Sequence, residues 1–598
     1  MKFRSPFSEK TGIAISHGDR QPAASEARAI GSPRTVAGIP LIHLAVLVAV
    51  ALPYFTNLGV SSLWDSNESF YAVTPLEMLQ SGNFIAPTFN AEVRAQKPPL
   101  TYWPIALCYR LFGVSEFSVR LPGAFAASGL LLFVYLTGRL LFSTRVALIS
   151  LVLTGTTIRI FLLARKLPID ILLLFFLAGT GYFLARGIAR NSSRSWMAAY
   201  GLTALGFLTK GPIAVVIPFG ACVVWALWSG ALGFKQMRLA PGLLLFAALV
   251  LPWYVLVYRH SGWVYIAPFF LRDNLGRYAT QELGPSRGPF YYAGVYLMEF
   301  FPWSLLSIPA LACLWRIRGA VDLRRSLAWG FPLTWSLLVF VFFTASRNKQ
   351  EYYIAPMYPM MALIVAAAFD QQLIPAAQGT ARLWRRAWKP ALIAIAALFF
   401  CTGLALPFLI GGAIPGIGAF LRFGPSAVLL TCAAALAYCI ATRRAGRAIL
   451  VLASCWWLLL LAVPAFYLAA VEPFRPIRSL CAGLRPELSP GDEVGYYRAA
   501  APSMLFYLRR PIFEEWKPEK MVRIFQSPKR VFCIMSASDR NYFVNERRLA
   551  LHVLDRRPQL VSRIRDLKDE KSRMDRELVL VSNQPVDYGA AADRREAP

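Results

Sequence analysis

Histidine is nearly missing from this 598-residue chain, and the four present, His17, His43, His260 and His552, stand too far apart in sequence to make a histidine-based metal motif. The nine cysteines include no CxxC pair. That leaves them without a paired metal or redox motif, as small hydrophobes in mostly apolar surroundings. Charge is scarce as well: 16% of residues are charged against 56% hydrophobic, which excludes an ordinary soluble domain. The first 36 residues carry Lys2, Arg4, Lys10, Arg20, Arg28 and Arg34 but no apolar core before Ile39. This excludes a cleavable signal peptide and reads as a cytoplasmic tail ahead of a signal-anchor helix. Acid is scarcest of all between Ile39 and Ala470, with only Asp65, Glu68, Glu77, Glu92, Glu116, Asp170, Asp273, Glu282, Glu299, Asp322, Glu351 and Asp370.

What the chain has instead is a succession of apolar runs, many about 18 residues or longer, the length that crosses roughly 30 Å of hydrocarbon. Thirteen spans are expected, near 39–57, 117–138, 146–163, 168–185, 196–209, 212–230, 240–258, 290–315, 327–345, 353–370, 389–411, 425–442 and 448–469. With the N-terminus inside, every inner loop is basic, from Arg139 and Arg145 to Arg443, Arg444 and Arg447, as the positive-inside rule demands. The net charge of +30 therefore reports membrane orientation rather than nucleic-acid binding. All the acids above except Asp322 and Asp370 fall on the outer side, so that face is polarised as a working surface. The expected fold is an α-helical polytopic membrane protein with a small α/β soluble domain. Its parts are a basic tail (1–38), a transmembrane domain (39–470), an extracytoplasmic domain (471–586) and a disordered end (587–598). In the soluble part, 493–497 and 530–535 suit strands and 560–575 suits a charged helix.

The outer loops hold the candidate chemistry. The long first one, about 58–116, opens Leu63-Trp64-Asp65-Ser66-Asn67-Glu68, where Asp65 and Glu68 would share a face if helical. Leu76 and Leu79, then Trp103, Leu107 and Leu111, suit short amphipathic helices on the membrane surface. Between them Lys97 precedes Pro98 and Pro99, which stiffen the backbone around that cation. Asp170 stands at the mouth of an apolar run, where an ionised carboxylate needs a partner or a task. Lys210 precedes the tight turn Gly211-Pro212, and two further loops carry Arg272 with Arg277, and Arg347, Lys349 and Tyr353. Singly, Asp65 with Glu68, Lys97 and Lys210 read equally well as solvated or turn charges, the two later loops read more readily as solvated loops, and Asp170 is the hardest to dismiss. Together, carboxylates able to take a hydroxyl proton stand beside cations suited to a phosphate leaving group, the set that glycosyl transfer from a phosphate-linked sugar requires.

The sequence also resembles the membrane glycosyltransferase superfamily of aminoarabinose–lipid A transferases and protein O-mannosyltransferases, the GT-C fold. The resemblance rests on Trp64-Asp65-Ser66-Asn67-Glu68 with Tyr71-Ala72, on Lys97-Pro98-Pro99-Leu100-Thr101-Tyr102-Trp103, and on Arg120-Leu121-Pro122. It continues through Asp170, Thr209-Lys210-Gly211-Pro212, Asn274-Leu275-Gly276-Arg277-Tyr278, Phe300-Phe301-Pro302-Trp303 and residues 349–359. It implies an inverting transfer from a polyprenyl-phosphate sugar to a lipid, glycan or protein acceptor outside the cytoplasmic membrane. By that resemblance Asp65 or Glu68 is the catalytic carboxylate, with Asp170 the second acid. The resemblance implies that Lys97 and Arg277 face the donor phosphate with Tyr353 beside them; Lys349 is a further candidate for the phosphate, and Tyr71 and Lys210 are candidate supports of the site. No cofactor is required, although a divalent ion could bridge an acid to the phosphate. The chain departs from the pattern at Asn67, Gln96 and Asp273, where relatives commonly carry Asp, Glu and His. A transporter or flippase is the competing class, but it would be expected to show repeated halves and charges at mid-membrane, and neither is seen.

Overall fold

The computed structural model describes residues 35–588 except 37, 66, 167, 231–232, 281–286, 319–321, 374–386, 414–416, 560–576 and 587. Residues 1–45 and 46–598 form two units, and apart from the opening residues of the first helix every helix belongs to the second. The expected helix at 560–575 and, but for Tyr588, the terminal segment 587–598 lie outside the described residues, as does most of the N-terminal tail.

Helices occupy all thirteen positions read as spans. The first ten helices are α1 (Leu41–Phe55), α2 (Glu68–Ser81), α3 (Trp103–Phe112), α4 (Glu116–Leu141), α5 (Thr144–Gly155), α6 (Ile158–Lys166), α7 (Pro168–Arg190), α8 (Ser193–Lys210), α9 (Ile213–Ser229) and α10 (Leu239–Ser261). Among the described residues seven helices are long and apolar enough to cross a membrane, or up to nine when two bent pairs are each counted as one span. Serine caps start several of them: Ser115, Ser143 and Ser192 accept from the backbone of Ser118, Val146 and Ser195.

Two stretches expected to run straight are broken. The α5–α6 pair bends by 61°, and Tyr291–Glu299 meets Trp303–Ile317 at 108°. At the first break the hydroxyls of Thr156 and Thr157 donate back to the carbonyls of Val152 and Leu153, at 2.6 and 2.8 Å, satisfying the freed ends of α5. At the second, Pro302 has no N–H to continue the helix, and Trp303 donates to Thr156 Oγ1 at 3.1 Å, tying one break to the other.

The segment expected to form the first outer loop is folded as α2, a hairpin of β1 (Thr88–Phe89) and β2 (Glu92–Val93), and α3. Because α2 begins at Glu68, Asp65 precedes the helix, and the two acids do not share a helix face. Glu68 is wholly buried against Arg120 of α4, at 2.6 and 2.9 Å, while Arg120 also donates to the carbonyls of Leu58, Ser61 and Ser62. This fork-to-carboxylate pair pins the entry of the loop onto the helical bundle. Replacing Arg120 with Ala strands a buried carboxylate and three carbonyls. It is expected to cost about 3–5 kcal/mol, read as a lower unfolding midpoint of the protein in detergent.

The C-terminal part carries a five-stranded mixed sheet of β3 (Glu493–Tyr497), β4 (Phe513–Glu515), β5 (Val531–Ser536), β6 (His552–Pro558) and β7 (Glu577–Ser582), in the order β4-β3-β5-β7-β6. Strands β4, β3 and β5 run parallel, and β7 is antiparallel to β5 and β6. One face of this sheet packs on the first outer loop: Leu63, Tyr71, Leu76 and Tyr109 share a core with Leu480, Val494, Phe506 and Phe532. The apolar face of α2 is thus covered by protein rather than by lipid. On α3, in contrast, Leu107 and Leu111 stay 57% and 64% exposed, as expected of a helix at a membrane surface.

Candidate functional site

A cavity of about 550 Å³ opens where the first outer loop meets α6, α7, the α8–α9 turn and residues 270–278 and 342–356. Each charged group in it is positioned by local sequence. Lys210 ends α8, and the chain turns at once at Gly211, whose φ of +81° and close contact with the Phe269 ring leave no room for a side chain. Asp170 lies in the first turn of α7, where the helix dipole favours a carboxylate, and forms an ion pair with Lys210. Lys97 is fixed through its backbone: Tyr265 donates to its carbonyl at 2.7 Å, and Thr101 donates to the Thr209 carbonyl at 2.9 Å, next to Lys210. Arg277 pairs with Asp273 one turn before it, at 3.1 Å, and lies beside Tyr353.

Among the described residues no acceptor binds the Lys97 ammonium. Burial pulls it down to about 7, Asp273 opposes this, and the charges of Lys210, Arg277 and Arg94 add to the depression. Much of the remaining wall is apolar or aromatic, including Leu173, Leu174, Ile213, Val216, Phe270 and Phe343. A cavity that combines charged groups with an apolar and aromatic wall suits an anionic headgroup on a long apolar chain.

The structure therefore brings Tyr71, Lys97, Asp170, Lys210, Arg277 and Tyr353 into one cavity. It places Asp65, Glu68 and Lys349 outside the lining. Asp65 is half-buried against the C-terminal domain and accepts from the Ser503 N–H at 2.9 Å. Burial pushes its carboxyl up to about 6, although the Ser503 bonds and Arg475 pull the other way. Lys349 is buried and donates to the Ser346 carbonyl at 2.5 Å, closing its own turn. Arg94, Asn67 and Tyr352 line the cavity and were not singled out by the sequence reading as site residues. Asn67 stands at the N-cap of α2, so an amide, not a carboxylate, faces the cavity there. Among the described residues no three His, Cys, Asp or Glu side chains cluster as metal ligands.

Residues 96–256 match the family described as dolichyl-phosphate-mannose-protein mannosyltransferase. A relative from Aquifex aeolicus (strain VF5), an uncharacterized protein, is 30% identical over 336 residues, covering 56% of this chain and 74% of its own length. The undecaprenyl phosphate-alpha-4-amino-4-deoxy-L-arabinose arabinosyl transferase of Shewanella sediminis is 30% identical over 340 residues, covering 54% of this chain and 59% of that protein. The chain spans about three fifths of the length of the curated arabinosyl transferases it matches. In overall fold it is similar to ArnT from Cupriavidus metallidurans, solved with undecaprenyl phosphate bound. The TM-score is 0.71 at 20% identity, over 90% of this chain and 98% of that one.

Proposed function

Since the chain belongs to the membrane glycosyltransferases related to aminoarabinosyl and protein mannosyl transferases, with the GT-C fold, we propose that it moves a sugar from a polyprenyl-phosphate donor to an acceptor at the extracytoplasmic face of the cytoplasmic membrane. One observation carries this reading: a single cavity combines an apolar wall, the cations Lys97 and Arg277 with Tyr353, and the carboxylate of Asp170. The N-terminus is assigned to the cytoplasm and the C-terminal sheet domain to the outside.

In the proposed reaction the acceptor oxygen attacks the anomeric carbon from the side opposite the phosphate, with inversion. The bond from that carbon to the phosphate oxygen breaks, and its electron pair leaves with the polyprenyl phosphate. The acceptor's proton passes to Asp170. Lys97 and Arg277 meet the second negative charge that grows on the phosphate, the place where preorganised donors act most strongly. Glu68, occupied by Arg120, and Asp65, held at Ser503, are assigned to organising the loop. Lys349 is assigned to its own turn. No metal step is invoked, and activity is expected to persist in EDTA.

Purified protein in detergent, with no ion gradient, is expected to transfer sugar from a polyprenyl-phosphate donor pool extracted from the native membrane, followed by mass spectrometry of lipid, glycan and protein acceptors. Movement of donor across a vesicle without any transfer would sink the reading and favour a flippase.

A further inference from the structure

The cavity's charges pair off unevenly. Asp170 takes Lys210 and Asp273 takes Arg277, which leaves two cations, Lys97 and Arg94, with no carboxylate of their own in the lining. Arg94 is 8% exposed and tightly held. Its backbone N–H donates to the Pro87 carbonyl at 2.8 Å, its Nε donates to the Tyr102 hydroxyl at 3.3 Å, and its guanidinium lies 4.3 Å from the Phe70 ring centre with Phe89 beside it. Those contacts fix the plane of the fork but use only one nitrogen. Among the described residues nothing accepts from either Nη, and the residue lines the cavity. Stacking on Phe70 and Phe89 holds the guanidinium in place, and its Nη groups, which no acceptor among the described residues fills, are left available to an anion in the cavity.

We propose that Arg94 is a further catalytic residue of this site, a fork that grips the leaving polyprenyl phosphate together with Lys97. The assignment rests on the polyprenyl-phosphate reading of the same cavity, and its basis is charge. A sugar-bearing donor is a phosphodiester with one negative charge, whereas the phosphate that leaves is a monoester carrying about −1.5 to −2 at neutral pH. Two unmatched cations therefore suit the leaving group better than the donor. An interaction that strengthens as the bond breaks accelerates the reaction, and a planar fork on two phosphate oxygens is the geometry for it.

The experiment compares two probes on the full-length protein in nanodiscs: undecaprenyl phosphate and its methyl phosphodiester, with binding read by calorimetry at pH 7.5. In Arg94→Gln, which removes the charge and keeps a polar side chain, affinity for the monoester is expected to fall about 10- to 100-fold and for the diester clearly less. Arg94→Lys is expected to recover part of the loss, and turnover is expected to drop more than the donor KM changes. Equal losses for both probes, or none, would overturn the assignment, because a residue that only shapes the cavity has no reason to tell one charge from two. Wild-type protein that binds neither probe would instead overturn the polyprenyl-phosphate reading itself.

Discussion

Asp170→Asn is expected to lower turnover about 10²- to 10⁴-fold, the contribution of a positioned base, while binding of undecaprenyl phosphate stays the same or tightens. The two directions separate a catalytic role from a structural one. The amide cannot take the acceptor's proton, so the chemical step suffers. The same change removes the partner of Lys210 and leaves that ammonium free toward an anion in the cavity. A misfolded site would lose both. The contrasting variant is Asp65→Asn. Its carboxyl rests on Ser503 and near Arg475, outside the cavity lining, so its loss is expected to loosen the seat of the C-terminal domain and to cost much less turnover. Purified variants assayed side by side decide the matter. If Asp65→Asn stops transfer and Asp170→Asn does not, the base is Asp65, and the loop must rearrange when substrate binds.

The helices were legible because length and hydropathy alone specify a span. The position of Lys210 was equally readable, since Gly211-Pro212 forces a turn directly after it. The two bends were not, because the hydroxyls that terminate α5 come from threonines that also sit comfortably inside a straight apolar helix. At the site, the local pattern Asp65-x-x-Glu68 suggested a joint pair. Helix α2 starts only at Glu68, however, and each acid takes a partner that no local pattern reveals: Arg120 lies 52 residues on and Ser503 lies 438 on. Arg94 left a signal that could have been used. It lies three residues before Lys97, and cations are few on the face expected to lie outside. What hid it was that its anchors, Phe70, Phe89 and Tyr102, come together only when the hairpin folds over α2.

The pH dependence of donor binding should expose Lys97. In the empty cavity its ammonium loses its proton near pH 7, because burial and the surrounding cations outweigh Asp273. An anionic phosphate favours the charged form and raises that value, so binding takes up a proton above pH 7. The protonated fraction of empty protein binds more tightly than the neutral one. The apparent Kd for the methyl phosphodiester, which does not titrate in this range, is therefore expected to be flat below pH 6 and to rise above pH 7 toward a ceiling about 10- to 100-fold higher, set by the uncharged form. Lys97→Arg keeps its charge throughout and is expected to flatten the profile, whereas Lys97→Ala is expected to bind about 10- to 100-fold more weakly at pH 6 and to lose the slope as well. The same shift has the opposite sign for the empty protein. The unfolded chain holds the Lys97 proton above pH 7 and the folded one does not, so this residue makes the empty fold more stable as pH rises through that range, and bound phosphate abolishes the trend. Calorimetric titration from pH 6 to 9 with wild type and both variants checks the first claim, and thermal midpoints with and without the diester check the second. A wild-type affinity that does not change with pH would mean that Lys97 keeps its proton in the empty cavity.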